Sequence, residues 1–202
     1  MFTMIYPIRL YGDPVLRKPA SAVKDFSQVP RVAENMFETM FEAHGVGLAA
    51  PQVGRSERLF VFAEYVDAEE EEGEGASLKA RVKNQWVMVN PVITYRAGEQ
   101  ISTEGCLSIP GLYSDDVPRD LQIRVEYQDE RGQGKTQEFE GYLAVVVQHE
   151  LDHLEGILFF DRLPKDLKAD FLEEHRKELA DLQRRAKAFL RELKAEGRRG
   201  EE

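Results

Sequence analysis

The segment 142–154 constrains the fold of this chain more than any other part of the sequence. Its first six residues are almost all apolar, which predicts a buried helix, and it ends in the pattern His149-Glu150-Leu151-Asp152-His153. Residues four apart share one face of a helix, so both imidazoles can reach a single metal ion. Histidines inside an apolar core cost free energy unless they are satisfied, and a metal ion would satisfy them. The sequence therefore predicts a metal centre on a central helix.

A third protein ligand is needed, because catalytic zinc and iron sites usually combine three protein ligands with one open position. Some H-E-x-x-H proteases use a histidine six residues after the second one, but this chain has Phe159 there. Others use a glutamate further along, and Glu173, Glu174 and Glu178 have suitable spacing. These glutamates lie in a strongly charged predicted helix, which favours a surface position. The remaining candidate is Cys106, whose thiolate would be a strong ligand for Zn²⁺ or Fe²⁺.

The periodicity of the other segments predicts an α+β fold. Helical spacing of apolar residues predicts one helix over 30–44 and a long amphipathic C-terminal helix over 167–193. Pro91 indicates an edge or a bulge in its strand, and Gly132 and Gly134 indicate a hairpin turn. Because helices and strands do not alternate as βαβ units, we expect antiparallel sheets around the central helix. The predicted strands are residues 59–62, 86–95, 121–127 and 136–141.

Length and composition bound the organisation of the chain. Its 202 residues predict a catalytic domain over 1–164, with an acidic insertion at about 65–85, and a C-terminal helix with a basic tail over 165–202. The hydrophobic content of 42% and charged content of 32% exclude a disordered chain and a membrane bundle. A net charge of −10 argues against DNA as a partner. With no signal-peptide core and no spanning segment, we expect a cytoplasmic protein without a membrane partner.

Three motifs in a fixed order resemble the peptide deformylase family. A single H-E-x-x-H pattern is weak evidence, but the three motifs together are highly specific. The opening Tyr11-Gly12-Asp13-Pro14-Val15-Leu16-Arg17 is also similar to the family's N-terminus. The acidic segment 65–85 is longer than in many relatives, but it lies between the motifs. The motifs are Gly45-Val46-Gly47-Leu48-Ala49-Ala50-Pro51-Gln52, Glu104-Gly105-Cys106-Leu107-Ser108 and the histidine motif at 149–153.

The resemblance implies a metal-dependent hydrolase that removes the N-formyl group from the N-terminal methionine of newly synthesised polypeptides and releases formate. It implies that one divalent metal ion is held by Cys106, His149 and His153. The ion would be Fe²⁺ in cells, and Zn²⁺, Ni²⁺ or Co²⁺ are expected alternatives in purified protein. The two kinds of ligand suit several of these metals, so the sequence does not distinguish them.

The same resemblance assigns the catalytic and substrate-binding roles. Glu150 would carry the proton from the attacking water to the leaving amine, while the backbone N–H of Leu107 and the side-chain amide of Gln52 would stabilise the oxyanion. The glycine loop, with Val46 and Gly47, would pair with the substrate main chain like an added strand. The residues expected around the methionine side chain are Val46, Glu104, Tyr142, Val145 and Val146, and Gly105 is a further expected substrate-binding residue.

The basic tail suggests a second partner. In some bacterial relatives a C-terminal helix docks on the ribosome near the tunnel exit, and a basic segment can contact RNA phosphates. The alternative is an amphipathic helix whose apolar stripe packs on the domain or on a second copy of the chain. The basic residues of the tail are Arg184, Arg185, Lys187, Arg191, Lys194, Arg198 and Arg199.

Two other functions compete with the deformylase interpretation. One is an H-E-x-x-H zinc metallopeptidase that cuts internal peptide bonds, which an assay with formylated and unblocked peptides would distinguish. The other is a zinc-stabilised binding module. A structural zinc site is usually closed by a fourth protein ligand, and this chain has no second cysteine to supply one.

Overall fold

The computed structural model describes residues 3–66 and 78–199. Four α-helices and five strands form its framework. The helices are α1 (Val29–Glu42), α2 (Gly141–Leu154), α3 (Lys165–Glu174) and α4 (Arg176–Arg199). The strands are β1 (Gly47–Ala49), β2 (Leu59–Tyr65), β3 (Val82–Cys106), β4 (Ile109–Gln128) and β5 (Gly134–Glu140). Short 3₁₀ turns cover Pro14–Arg17, Ala50–Val53, Leu78–Arg81 and Phe159–Arg162.

The five strands form one antiparallel sheet in the order β1-β2-β3-β4-β5. The α+β class with antiparallel pairing is therefore confirmed. Strands β3 and β4 are much longer than predicted, and a tight turn joins them where Cys106 pairs with Ile109. Their outer halves carry many exposed polar residues, and the sequence patterns used for strands do not detect such segments.

A bulge interrupts β3 at the predicted position. The pairing with β4 shifts between Val89 and Val92, and Asn90 adopts a positive φ of 51°. The Asn90 side chain accepts a hydrogen bond from Val23 N–H and donates one to Val23 O. Of the two options that Pro91 left open, the bulge is correct, because β3 lies between β2 and β4 rather than at an edge.

Helix α2 is packed against the sheet, as its apolar sequence predicts. Ala144, Val146 and Val147 join a cluster that includes Phe60 and Phe62 of β2. A second cluster holds α1 against the opposite face of β2, through Leu59, Val61 and Ala63. The sheet thus fixes α2, and with it the histidine motif, in one orientation.

The long C-terminal helix is confirmed as α4, but the predicted continuous run 167–193 is divided. His175 ends α3, its N–H donates to Phe171 O, and a new helix begins at the next residue. The break lets Phe171 from α3 and Leu179 and Leu182 from α4 reach one cluster with the two phenylalanines of the Phe159–Arg162 turn. This packing supports the expectation that the apolar stripe of the C-terminal segment docks on the domain.

Two predictions, the acidic insertion and the boundary between the domain and the C-terminal helix, stay predictions. Residues 67–77 of the acidic insertion predicted at 65–85 lie outside the described residues. The boundary after residue 164 stays a prediction. Within the described parts of the chain, no helix combines the length and the apolar character needed to span a membrane.

Replacing Leu182 with alanine should destabilise the protein. Its side chain is 4% exposed within the cluster that fixes α4, so the free energy of unfolding should fall by about 2–5 kcal/mol. The control Leu167→Ala, at a side chain 39% exposed on α3, should change it by less than about 1 kcal/mol. Urea unfolding of both variants measures the difference, and equal losses would contradict the proposed packing of α4.

Candidate metal centre and cleft

Cys106, His149 and His153 come together although they lie on different elements. Cys106 ends β3, and the two histidines lie one turn apart on α2. The Cys106 Sγ atom is 3.3 Å from His153 Nε2, and the ligand atoms of all three residues lie within 4.8 Å of one another. Among the described residues, this is the group of histidine, cysteine and carboxylate side chains whose geometry could hold a metal ion.

The donor set fits a divalent transition metal. A thiolate with two imidazoles suits Zn²⁺ and Fe²⁺ and leaves room for a further ligand. His149 Nδ1 lies 2.8 Å from Glu104 Oε2, so its other ring nitrogen remains to face Cys106 and His153. Metal-binding histidines usually donate their second ring N–H to a carboxylate in this way, because the hydrogen bond fixes the ring orientation.

A buried chain of charges supports His149. Arg119 donates to both oxygens of Glu104, at 2.7 and 2.9 Å, and to Asp152 Oδ2 at 2.7 Å. Arg162 donates to the same Asp152 from the protein surface. Because Glu104, Arg119 and Asp152 are each at most 6% exposed, this network joins β3, β4 and α2 inside the protein.

The network sets the charge state of its carboxylate. Burial alone would raise the pKa of Glu104, but the hydrogen bonds from Arg119 and His149 outweigh it and lower the pKa to about 2. Glu104 is therefore ionised at neutral pH. Burial alone would lower the pKa of Arg119, but its contacts with Glu104 and Asp152 outweigh it and raise the pKa above the usual range.

The two histidines respond to different surroundings. Burial lowers the pKa of His153 well below its usual value, so this imidazole is neutral, as a metal ligand must be. Burial also acts to lower the pKa of His149, but hydrogen bonds with Cys106 and Glu104 raise it well above the usual value. The negative groups that favour a proton on His149 would equally favour a divalent cation.

Glu150 lies beside this group with one carboxylate oxygen free. Its side chain is 4% exposed, and Oε2 has no hydrogen-bond partner among the described residues. Burial raises the pKa of Glu150 to about 7. A Cβ atom at Gly47 would overlap the Glu150 carboxylate, so only glycine lets strand β1 approach so closely.

Gln52 reaches the same point from the Ala50–Val53 turn. Its Oε1 accepts a hydrogen bond from Ala49 N–H at 2.8 Å, which orients the amide. Its Nε2 then lies 3.4 Å from Cys106 Sγ and 3.2 Å from Ser108 Oγ. The oxygen of the Gln52 amide is therefore held by its own loop, and the nitrogen points toward Cys106.

A cleft of about 460 Å³ opens beside these groups. Tyr113 and Tyr142 stand at its rim, 64% and 62% exposed. His153 is buried at 1% exposure and does not line the cleft. All the other predicted site residues do, namely Val46, Gly47, Gln52, Glu104, Gly105, Cys106, Leu107, Tyr142, Val145, Val146, His149 and Glu150.

A second cavity, of about 530 Å³, lies along the other face of α2. It is lined by Gln148, Leu151 and Asp152 of the helix, together with arginines that are paired with acidic residues. None of the three grouped ligand residues lines it. We therefore assign the chemistry to the smaller cleft.

Several other sequence candidates lie away from the site. Glu173, Glu174 and Glu178 are exposed on α3 and α4, so the structure does not support them as a third ligand. Arg119 is the important residue that the sequence analysis missed. The only signal for it in the sequence is indirect. Glu104 and Asp152 lie in motifs expected inside the protein, and two buried carboxylates need a cation between them.

Comparisons with known proteins identify the family. The polypeptide deformylase family profile matches residues 5–169. A peptide deformylase of Thermus thermophilus is 61% identical over 190 residues, covering 94% of this chain and 98% of that protein. The chain belongs to the polypeptide deformylase family. A crystal structure of peptide deformylase from T. thermophilus has 58% identity and a TM-score of 0.82, covering 90% of this chain and 99% of that one.

A more distant relative was crystallised with a peptide. The class I type b peptide deformylase from Acinetobacter baumannii, with Met-Ala-Ser bound, has 33% identity and a TM-score of 0.70, covering 80% of this chain and 100% of that chain. The resemblance inferred from the three motifs is thus confirmed. As a member of the deformylase family, the protein is a hydrolase that removes the N-formyl group from newly synthesised polypeptides. The family implies a single catalytic metal, consistent with the grouped cysteine and histidines.

Replacing Arg119 with methionine should strongly destabilise this deformylase. The substitution leaves Glu104 and Asp152 buried without their shared cation, and breaking such a buried pair costs about 3–5 kcal/mol. The control Arg124→Met breaks an exposed pair with Glu138 and should cost at most about 1 kcal/mol. Denaturant unfolding at equal metal content compares the two, and similar losses would show that the buried network is not a major support.

Proposed function

We propose that Cys106, His149 and His153 hold the catalytic metal of this deformylase, which is Fe²⁺ in cells. The observation that carries the proposal is their close grouping beside the buried Glu150. A bound ion of this kind supplies Lewis-acid chemistry, which makes water a good nucleophile near neutral pH and polarises a carbonyl oxygen. Fe²⁺ with a thiolate ligand is prone to oxidation, so activity should be sensitive to air.

Glu150 acts as the general base and then as the general acid. Its Oε2 is free to accept the proton of the attacking water, because no other described group hydrogen-bonds to it. The same oxygen then delivers that proton to the leaving amine of methionine. Burial beside Gly47 keeps the carboxylate close to the cleft and away from competing partners.

The oxyanion that develops on the formyl oxygen is stabilised by Gln52 and Leu107. The side-chain amide of Gln52 is oriented by Ala49 and presents its Nε2 hydrogens beside Cys106. Leu107 follows Cys106 in the turn between β3 and β4, so its backbone N–H lies next to Cys106 and can donate to the formyl oxygen there. One such donor is typically worth about 3–4 kcal/mol of transition-state stabilisation.

The peptide binds along strand β1. This strand lies at the edge of the sheet, and an edge can accept an extended peptide as an additional strand. Val46 and Gly47 supply the main-chain contacts, and the bound Met-Ala-Ser of the A. baumannii enzyme agrees with a short peptide as the ligand. The methionine side chain enters the cleft. We assign five residues of the cleft to its pocket, namely Glu104, Gly105, Tyr142, Val145 and Val146.

The protein meets its substrate in the cytoplasm at the ribosome. Leu179, Leu182 and Ala186 of α4 are buried against the domain, so its apolar stripe is occupied. Five basic side chains of the tail are exposed on the same helix, and exposed positive charge can contact RNA phosphates. They are Arg184, Arg185, Lys187, Arg191 and Lys194. Packing on the domain and docking on the ribosome are therefore compatible uses of two different faces.

Formate release from formyl-Met-Ala-Ser, with metal analysis of the same anaerobic samples, tests the catalytic assignment. Wild-type protein should carry one metal ion and release formate, but should not cut the unformylated peptide. Glu150→Gln should keep its metal and lose about 10²–10⁴-fold in kcat. Cys106→Ala should lose metal and activity together. Near-normal turnover by Glu150→Gln, or full metal occupancy in Cys106→Ala, would contradict the assigned roles.

Sedimentation with ribosomes at low salt tests the docking proposal. Truncation at residue 184 would also remove the buried Ala186, so we change charge alone. One variant replaces four exposed basic residues of α4 with glutamine, namely Arg185, Lys187, Arg191 and Lys194. This change should reduce the fraction of protein that sediments with ribosomes and leave turnover of formyl-Met-Ala-Ser unchanged. A control with glutamine at the exposed Lys18, Lys24, Arg31 and Arg131 makes the same change in net charge. Equal pelleting of the two variants would contradict docking through α4.

A further inference from the structure

Strand β1 is short and is held along one edge only. Gly47 pairs with Phe62 of β2, and the ladder extends as far as Ala63 N–H, which donates to Val46 O at 3.0 Å. With three residues and a single neighbouring strand, β1 has little stability of its own. The orientation of its free edge therefore depends on what holds the residues that precede it.

Gly45 is fixed where the ladder ends. Its N–H donates to Met40 O at 2.8 Å, and its carbonyl oxygen accepts a hydrogen bond from the Tyr65 hydroxyl at 2.8 Å. A Cβ atom at Gly45 would lie 2.7 Å from Leu107 Cδ1, so this backbone is packed directly against Leu107. Gly45 is itself buried, and a buried carbonyl that loses its donor is costly.

We infer that Tyr65 is a positioning residue for peptide binding, whose hydroxyl holds the Gly45 carbonyl and so sets the free edge of β1. The inference rests on the proposed pairing of the substrate main chain with β1. Tyr65 is the last residue of β2 and does not line the cleft, so it acts through the loop and not by touching the peptide.

The surroundings of Tyr65 suit this role. Its ring packs on the cluster beneath α1, which fixes the direction of the hydroxyl. Burial, with a smaller effect of the nearby Tyr142, raises the pKa of Tyr65 to about 12. The hydroxyl therefore stays protonated and remains a donor over the whole range in which the enzyme would work.

Removing only the hydroxyl tests the inference. Tyr65→Phe keeps the ring, so the fold should be kept, while the Gly45 carbonyl loses its donor. Thermal stability should fall by no more than the loss of one hydrogen bond explains. For formyl-Met-Ala-Ser, KM should rise about three- to tenfold, the scale of one hydrogen bond, with kcat within about twofold of wild type. For formyl-methionine, which has no residues beyond methionine to pair with β1, the rise in KM should be clearly smaller.

The control Tyr127→Phe removes a hydroxyl from another half-buried tyrosine, on β4 and two strands away from β2, and should leave both KM values unchanged. An unchanged KM in Tyr65→Phe, an equal rise for both substrates, or a loss confined to kcat would overturn the inference while the wild-type enzyme stays active. Wild-type protein that releases no formate from either substrate would instead overturn the proposed site, and this inference with it.

Discussion

Arg119 holds two carboxylates together inside the protein, and the geometry of the site depends on that contact. Glu104 comes from β3 and Asp152 from α2, so their shared cation joins the sheet to the central helix next to the histidine motif. Glu104 in turn binds His149 through Nδ1 and fixes its ring. Without the arginine, the buried carboxylates of Glu104 and Asp152 would repel each other. This repulsion would act close to the end of β3, where Cys106 lies beside the histidines.

Close backbone approach is the second requirement. Glycine at position 47 lets β1 lie against Glu150, and Gly45 lets the preceding loop lie against Leu107. Any larger residue would separate the edge that we propose binds the peptide from the groups that we assign to catalysis. Glu150, Cys106 and His149 therefore line one cleft together with Gly47 of β1. Helix α1 packs with β1 and β2 in one apolar cluster that Leu107 joins.

The sequence predicted the parts of the fold that depend on local pattern. The apolar run before the histidine motif predicted α2, and the glycines at 132 and 134 predicted the turn before β5. The lengths of β3 and β4 were missed, because their outer halves form a hairpin of exposed polar residues. The break at His175 depends on tertiary packing of Phe171 and Leu179, which spacing along one helix does not reveal. Twelve of the thirteen predicted site residues line the cleft and His153 lies beside Cys106, but their catalytic roles stay predictions.

X-ray absorption at the metal edge of the anaerobically loaded protein tests the assignment of the three metal ligands. With zinc bound, we predict one sulfur neighbour at about 2.3 Å and two imidazole nitrogens at about 2.0–2.1 Å, the remaining neighbours being light atoms. Cys106→Ala should remove the sulfur signal together with most of the bound metal. A wild-type spectrum with no sulfur neighbour, or with fewer than two imidazoles, would contradict the assignment of Cys106, His149 and His153 as the metal ligands.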